Sequence, residues 1–259
     1  MRDTGNLNEG SRVDSGYVDL ALEVIRRLAQ LRTLGGEGLK EALIDKLFDV
    51  VKSDEAPDID GAMQEFRAAH VSPEAIVIEY VPEVARRLGI AWEKDTLSFS
   101  VVTTGSVKLQ QIVHRAALDY VADNSNEKTA TTILLLVPAG EQHTLGSKAA
   151  AAWLRMKGVS VCLRIGPSPQ ELAEILQGRR FTGVFVSVGS DSKTEVCAKL
   201  VKTLRTLSKG TLPLVVGGSL ADKKRDELMS VGADLVTTDL AGALEFVGSP
   251  RLGKHRKVS

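Results

Sequence analysis

The 259-residue sequence lacks the features that mark several large classes of protein. Lys plus Arg and Asp plus Glu each total 33, so no charge excess favours nucleic acid or an anionic membrane surface as a partner. No apolar run approaches the roughly 20 residues that a membrane span needs. The first residues are polar and contain no apolar core of a signal peptide. We therefore expect a cytoplasmic protein that does not bind a membrane.

Cysteine is also scarce. The sequence contains two cysteines, Cys162 and Cys197, which are too few for a disulfide framework and are not spaced like metal ligands. Each lies in an apolar or amphipathic run. We expect both to be small core residues and not redox switches.

The first half of the chain has the apolar periodicity of helices and no credible strand. One helix start is clear, because Ser72 is a good N-cap and Pro73 suits the first helical position. Pro82 in the same helix predicts a kink or a break after Val81. The expected helices run from about 15 to 34, 38 to 51, 60 to 69, 72 to 88 and 97 to 122, and 89–95 is predicted to be a loop.

The pattern changes after the polar segment 123–128, where apolar runs rich in branched residues begin to alternate with amphipathic segments. Strict alternation of strand and helix predicts a parallel sheet covered on both faces. The expected fold class is α/β, with an N-terminal helical bundle and a C-terminal Rossmann-like sheet of five parallel strands. The strands are predicted near 131–137, 159–165, 183–188, 213–216 and 234–237. The expected divisions are a disordered 1–15, a helical bundle over 16–124, the Rossmann-like domain over 129–248 and a basic tail over 249–259.

Residues that can carry chemistry follow three of the predicted strands. Glu141 and His143 follow the first, Ser187 ends the third, and Gly217 and Gly218 end the fourth. Ligands of an open parallel sheet bind beyond the carboxyl ends of its strands, so these residues should line one rim. Singly, they could be a surface histidine, a helix cap and a glycine turn, but their common edge favours a site. A phosphate-binding Rossmann site competes, although no G-x-G-x-x-G follows the first strand and no P-loop is present.

These motifs resemble the cobalamin-binding domain, over about residues 130–247. Its signature is Asp-x-His-x-x-Gly, then Ser-x-Leu, then Gly-Gly. The sequence here has Glu141-x-His143-x-x-Gly146, then Ser187-x-Gly189, then Gly217-Gly218. The resemblance implies that His143 is the lower axial ligand of cobalt. It also implies that Glu141 hydrogen-bonds the other ring nitrogen of His143 and fixes its tautomer.

The resemblance further implies a pocket for the displaced nucleotide tail of cobalamin. Ser187 would reach the benzimidazole, and the two glycines at 217 and 218 would let the tail pass close to the backbone. Gly146 and the small residues of the following helix would leave room for it; these residues are Ala149, Ala150 and Ala152. Two positions depart from the family pattern, with Glu141 in place of Asp and Gly189 in place of Leu.

The helical half is similar to the helical bundle that covers the upper face of the corrin in light-sensing cobalamin repressors. In those proteins a loop Trp is followed, after nine residues, by a Glu-His pair. Trp92 matches this Trp, and the pair's positions hold Val102 and Thr103, so that upper cobalt ligand is missing. His114, on the last bundle helix, is expected to be an ordinary amphipathic-helix residue.

The segment from Pro138 to Gly146 is similar to that of cobalamin-dependent transcription regulators. Thr144 and Leu145 follow the histidine, where corrinoid methyl-transfer shuttles carry an acidic and an apolar residue, and we place both in the candidate site. The bundle begins near residue 17, which is not expected to leave room for a winged-helix DNA reader. The sequence thus resembles the PpaA/AerR group of photosynthetic bacteria, which bind cobalamin and modulate a separate repressor of photosystem genes.

The resemblance implies a sensor and not an enzyme. Light, oxygen or cofactor supply would alter the upper cobalt ligand, and a changed bundle surface would engage a repressor protein. DNA would be reached through that partner or through the basic tail. The form of cobalamin, hydroxo-, methyl- or adenosyl-, is left open. So are three alternatives: a haem-binding redox sensor that uses His143, a corrinoid carrier for methyl transfer, and an interaction protein with a vestigial pocket.

Overall fold

A computed structural model of the chain describes residues 39–123, 130–141, 144–189, 193–218, 221 and 223–248. Besides His143, four predicted segments lie outside these residues: the disordered N-terminus, the helix near 15–34, most of the polar segment at 123–128, and the basic tail. The helices before the sheet are α1 Glu41–Lys52, α2 Ile59–Ala68, α3 Pro73–Ala75, α4 Val81–Glu93 and α5 Phe99–Asp123. A π-helical turn, Ile76–Tyr80, joins α3 to α4.

The helix that begins at Ser72 is capped as predicted. The Ser72 side chain accepts a hydrogen bond from the Ala75 N–H at 3.1 Å, and Pro73 occupies the first turn. Of the predicted kink or break after Val81, the break is wrong, because the chain stays helical through the π turn. There the Val81 N–H donates to the carbonyl of Ile76, five residues back. This wider turn lies directly before Pro82, which has no N–H to donate, and it lets the helix continue.

The predicted loop at 89–95 is also wrong over most of its length. Helix α4 continues to Glu93, so Trp92 is helical, and the chain leaves the helix at Asp95 with a φ of 55°. Gly89 costs a helix about 1 kcal/mol relative to Ala. It is buried in α4, and the packing of the apolar face of that helix offsets this cost.

The second half forms the predicted parallel sheet. Its strands are β1 Thr132–Val137, β2 Ser160–Ile165, β3 Gly183–Ser187, β4 Leu214–Gly217 and β5 Leu235–Val236. Its helices are α6 Leu145–Met156, α7 Pro169–Gly178, α8 Thr194–Leu207, α9 Arg225–Ser230 and α10 Leu240–Gly248. All neighbouring strands pair in parallel, in the order β2-β1-β3-β4-β5. The fold class predicted from the sequence is therefore confirmed.

Burial follows strand position. Strand β1 lies between two neighbours, and Ile133 to Val137 are all buried, which explains the unbroken apolar run in its sequence. Strand β2 is an edge, and its last residues, Arg164 and Ile165, are exposed. The free thiols fit this layout: Cys197 is fully buried under β3 and β4, and Cys162 on β2 is half-buried.

Helix α6 joins the helical unit to the sheet. Ala149, Ala152 and Met156 belong to the core of the helical bundle, together with residues such as Leu109 and Ile112 of α5. On its other side, Ala151, Trp153 and Leu154 pack on the sheet. In the described residues, no helix is both long and apolar enough to cross a membrane.

Candidate cofactor-binding cleft

A cleft opens at the carboxyl edge of the sheet, against helix α6. The strand order places the switch point of the sheet between β1 and β3, because the chain turns towards β2 from one side and towards β4 from the other. Parallel sheets of this order bind flat cofactors at that point. The cavity within this cleft has a volume of about 150 Å³.

Most of the predicted tail-pocket residues line this cleft. They are Gly146, Ala149, Ala150, Ser187, Gly189, Gly217 and Gly218. A Cβ added to Gly146 would meet no atom within 4 Å, so the space in front of it is open. The prediction also included Ala152, but this residue packs into the helical bundle core and does not line the cleft.

The two glycines after β4 are required by the backbone. Gly218 has a φ of +111°, and a Cβ there would lie 2.4 Å from the carbonyl oxygen of Val188. A Cβ on Gly217 would lie 3.1 Å from the carbonyl oxygen of Thr237. Because the segments after β3, β4 and β5 approach so closely, the backbone leaves no room for a side chain at either glycine. The glycine pair is thus both a turn and part of the cleft wall.

The two departures from the family pattern touch each other. Glu141 is buried, with 6% of its surface exposed, although it follows a strand at the rim. A Cβ added to Gly189 would lie 3.0 Å from Glu141 Oε2 and 3.3 Å from Glu141 Cδ. A longer acid at 141 therefore occupies the space that a side chain at 189 would need. The sequence showed each change separately and gave no sign that they compensate.

Several predicted site residues lie away from the cleft or outside the described residues. His143 is outside them, so its role as a cobalt ligand stays a prediction. Thr144 caps α6 through its backbone, where its carbonyl accepts the Ser147 hydroxyl at 2.9 Å. Leu145 packs against the helical bundle. Trp92 lies with its ring 6.0 Å from that of Phe99 and is not among the residues that line the cleft.

Sequence reasoning missed one wall of the cleft. Trp153 of α6 lines it, and so do Val77 and Ile78 of the π-helical turn. The spacing contained a signal for Trp153, because positions 146, 149, 150 and 153 of one helix share a face. The contribution of the π-helical turn had no such signal, since it depends on how the helical unit packs against α6.

The opposite end of the cleft is polar. Thr237, Thr238 and Asp239 follow β5 and line it there. The Asp239 side chain accepts the N–H groups of Ala241 and Gly242 at 3.0 and 3.1 Å, and so caps α10. An apolar and aromatic inner wall combined with a polar rim suits a ligand with a flat apolar group and a polar remainder.

Other reactive groups do not contribute to this cleft. Burial, and secondarily the charge of Glu227, raises the pKa of the Cys197 thiol to about 12, so this thiol stays protonated. Within the described ranges, no group of three or more His, Cys, Asp or Glu side chains could hold a metal ion. A metal at this rim would thus depend on a ligand such as His143 and on the cofactor's own donors.

Comparisons with known proteins bear on this cleft. No protein-family model matches the chain. An uncharacterized 20.5 kDa protein of the bchF-crtJ intergenic region of Rhodobacter capsulatus is 41% identical over 183 residues, which are 71% of this chain and 95% of that protein.

Among solved structures, the Methanosarcina barkeri monomethylamine corrinoid protein aligns with a TM-score of 0.64 at 17% identity, over 80% of this chain and 98% of its own. This likeness shows that the chain has the fold of a corrinoid protein. A cobalamin-binding protein from Desulfitobacterium hafniense DCB-2 aligns over 82% of this chain and 98% of its own, at 14% identity and a TM-score of 0.42.

Proposed function

The chain belongs to the family of the Rhodobacter capsulatus 20.5 kDa protein of the bchF-crtJ intergenic region, and on that premise we propose that it is a cobalamin-binding regulator of transcription. It would sense light or oxygen and modulate a partner repressor of photosystem genes. It would act as a sensor and not as an enzyme. The link to photosystem genes is supported by the name of the relative, which places its gene in the bchF-crtJ intergenic region.

One observation carries the cofactor assignment. Small residues from α6, β3 and β4 meet at the β1/β3 switch point and leave an open cleft in front of Gly146. These are the residues that the cobalamin resemblance assigned to the nucleotide tail. The apolar inner wall fits a benzimidazole, and the threonines after β5 fit the hydroxyl groups of a sugar. The residues present therefore fit the group.

The roles of the rim residues follow from this placement. His143 would hold the cobalt, and the buried carboxylate of Glu141 would fix the tautomer of the imidazole. Ser187, at the end of β3, would donate to or accept from the base, while Gly217 and Gly218 admit the tail. When bound, cobalamin supplies a cobalt centre whose upper ligand can be exchanged by light or by reaction with oxygen.

The helical unit supports a sensor. The positions of the Glu-His pair hold Val102, which packs against the bundle core, and Thr103, whose hydroxyl donates to the Phe99 carbonyl at 2.8 Å. Neither side chain is a metal ligand in this arrangement, so these two positions would not supply a ligand to the cobalt. The bundle shares helix α6 with the cleft, which supports transmission of a change to a surface that a repressor can read.

Absorbance spectroscopy tests the cofactor assignment. Purified protein is incubated with hydroxocobalamin, and separately with haem, and is freed of unbound cofactor before spectra are recorded in the dark and after illumination. We expect a retained corrin spectrum that His143→Ala shifts or abolishes. His114→Ala is the matched control, because His114 is an exposed histidine of α5 outside the cleft. A Soret band that depends on His143, with no retained corrin, would establish the haem alternative instead.

The regulatory role needs a separate test. A candidate repressor of photosystem genes is mixed with its promoter DNA, and the DNA-bound fraction is measured with cobalamin-loaded protein in the dark and in light. We expect the loaded protein to change that fraction by several-fold and the His143→Ala variant to lose the effect. Methylation of bound cobalt(I) by a methyltransferase, with no effect on the repressor, would favour the corrinoid carrier.

A further inference from the structure

The inner wall of the cleft is built around one tryptophan. Trp153 has 6% of its surface exposed and lines the cleft on the same face of α6 as Gly146 and Ala150. Phe185 of β3 and Leu135 of β1 form the neighbouring part of the lining. This part of the cleft lining is therefore aromatic and apolar.

The orientation of this indole is fixed from the helical unit. Trp153 Nε1 donates to Glu74 Oε1 at 2.9 Å. Tryptophan has a single hydrogen-bond donor, so this bond determines how the ring is turned in its pocket. A carboxylate acceptor makes the bond stronger than one between neutral groups. Lys157 Nζ lies 2.7 Å from the same oxygen and 5.4 Å from the centroid of the indole, and so holds Glu74 in place.

Glu74 lies in the short helix α3 that leads into the π-helical turn. Val77 and Ile78 of that turn line the cleft beside Trp153. The helical unit therefore supplies both a part of the wall and the group that orients its main aromatic residue. π-Helical turns of this kind are common at functional sites, since they re-aim side chains that a regular helix would place elsewhere.

We propose that Trp153 is the specificity-determining residue for the flat base that enters the cleft, and that Glu74 is its positioning residue. The inference rests on the proposed function, because cobalamin supplies such a base on its nucleotide tail. A flat aromatic group gains contact area and favourable ring geometry against an indole that cannot rotate. A rotated or absent indole would change the depth of the cleft and the size of base that fits.

Two corrinoids, one with the base and one without it, distinguish contacts of the protein with the base from its contacts with the corrin ring. Dissociation constants are measured for cobalamin, which carries the base, and for cobinamide, which lacks it. Trp153→Ala should weaken cobalamin by about tenfold or more, as expected for a lost aromatic contact, and should leave cobinamide within about twofold. Unchanged cobinamide affinity also shows that the variant is folded. Trp153→Phe keeps an aromatic wall and should lose less.

The positioning role has its own variants. Glu74→Ala should weaken cobalamin by less than Trp153→Ala does, because the indole stays in place but is no longer pre-oriented for the base, again without weakening cobinamide. Glu74→Gln keeps an acceptor oxygen and should recover part of that loss. Glu65→Ala is the control, since Glu65 forms an exposed pair with Lys46 and does not line the cleft. A base with a larger ring should bind Trp153→Ala relatively better than the wild type.

The outcomes distinguish this inference from the proposed function. Equal losses for both corrinoids, or no loss for either, would overturn the role of Trp153 while leaving cobalamin binding intact. Failure of the wild type to bind any corrinoid would overturn the proposed function instead. In that case the free base 5,6-dimethylbenzimidazole is titrated into Trp92→Phe, where Trp153 is the single tryptophan. An unchanged Trp153 emission would then overturn this inference as well.

Discussion

Glu141 and Gly189 show how two residues at the rim fix each other's size. The carboxylate of Glu141 is buried between the loops that follow β1 and β3. The carboxylate packs closely against Gly189, because a Cβ added at position 189 would lie 3.0 Å from Glu141 Oε2. If Glu141 also orients His143, a displaced carboxylate would turn the imidazole, and the effect of a change at 189 would reach the cofactor.

A double-mutant cycle tests this coupling. Gly189→Ala should lower the free energy of unfolding by about 1–3 kcal/mol, the usual cost of overpacking, because the Glu141 carboxylate must move. In a Glu141→Asp background the carboxyl group is one methylene shorter, so the same alanine should cost less. The expected coupling energy is on the order of 0.5–3 kcal/mol, measured by urea denaturation.

Gly178→Ala is the control for that cycle, since a Cβ at 178 would meet no atom within 4 Å. It should not couple to Glu141→Asp. Additive losses for Gly189→Ala and Glu141→Asp would show that the two residues do not constrain each other. Corrinoid affinity measured on the same variants reports whether the coupling extends to the cofactor.

Residue by residue, the sequence identified side chains at strand ends better than side chains from the helical unit. Ser187, Gly217 and Gly218 could be assigned to the cleft because the carboxyl ends of parallel strands share one edge. Val77 and Ile78 could not, since their place depends on a π-helical turn and on packing between the two units. In the sequence, Glu74 looks like an ordinary acidic residue in the first turn of a helix, and only the structure shows that it accepts a hydrogen bond from Trp153.

At the scale of elements, the helix that contains Pro82 is held by an ionic cluster on its first full turns. Glu83 is buried and accepts hydrogen bonds from Arg86 at 2.8 Å and Arg87 at 3.3 Å. Arg87 also bonds Asp45 of α1 at 2.7 Å, and so ties α4 to its neighbour. Burial alone would raise the pKa of Glu83, but the two guanidinium groups outweigh it and the pKa is lowered.

This shift predicts a pH dependence of stability. A carboxyl group with a lowered pKa in the folded state stabilises the protein above its unfolded pKa, about 4.3 for Glu. The contribution is lost as the pH falls through the folded pKa. Glu83→Gln should therefore lower the free energy of unfolding by about 2 kcal/mol at pH 7, and the difference from wild type should shrink below about pH 4.

Urea denaturation at pH 7 and at pH 3.5 measures the loss of unfolding free energy in Glu83→Gln and how far that loss shrinks in acid. Glu195→Gln is the comparison, because Glu195 forms an exposed pair with Lys199 within one helix. Its removal should change stability little at either pH, as for most surface pairs. A Glu83→Gln difference that persists unchanged at pH 3.5 would mean that the cluster does not act through the charge of Glu83.

At the scale of the whole molecule, the sequence predicts the kind of sheet but not the order of its strands. Alternating apolar runs were enough to predict a sheet of five parallel strands. The order β2-β1-β3-β4-β5 was not in the pattern, because periodicity does not report which strands are neighbours. The same limit hid the double role of α6, whose alanines face the bundle on one side and the sheet on the other.

A helix shared by two cores should make the two units unfold together. Met156, with 1% of its surface exposed, lies on α6 but packs in the core of the helical bundle. Met156→Ala should lower the free energy of unfolding by about 2–5 kcal/mol, through lost burial and a residual cavity. Because α6 also packs on the sheet, amide protons of β1 should lose protection against hydrogen exchange as much as those of α1.

Met229→Ala is the control, because Met229 lies on α9 and is 42% exposed; it should change the free energy of unfolding by less than about 0.5 kcal/mol. Loss of protection confined to α1 and its neighbours would instead show that the bundle opens independently of the sheet, and a signal at the cofactor could then be read without disturbing the cleft.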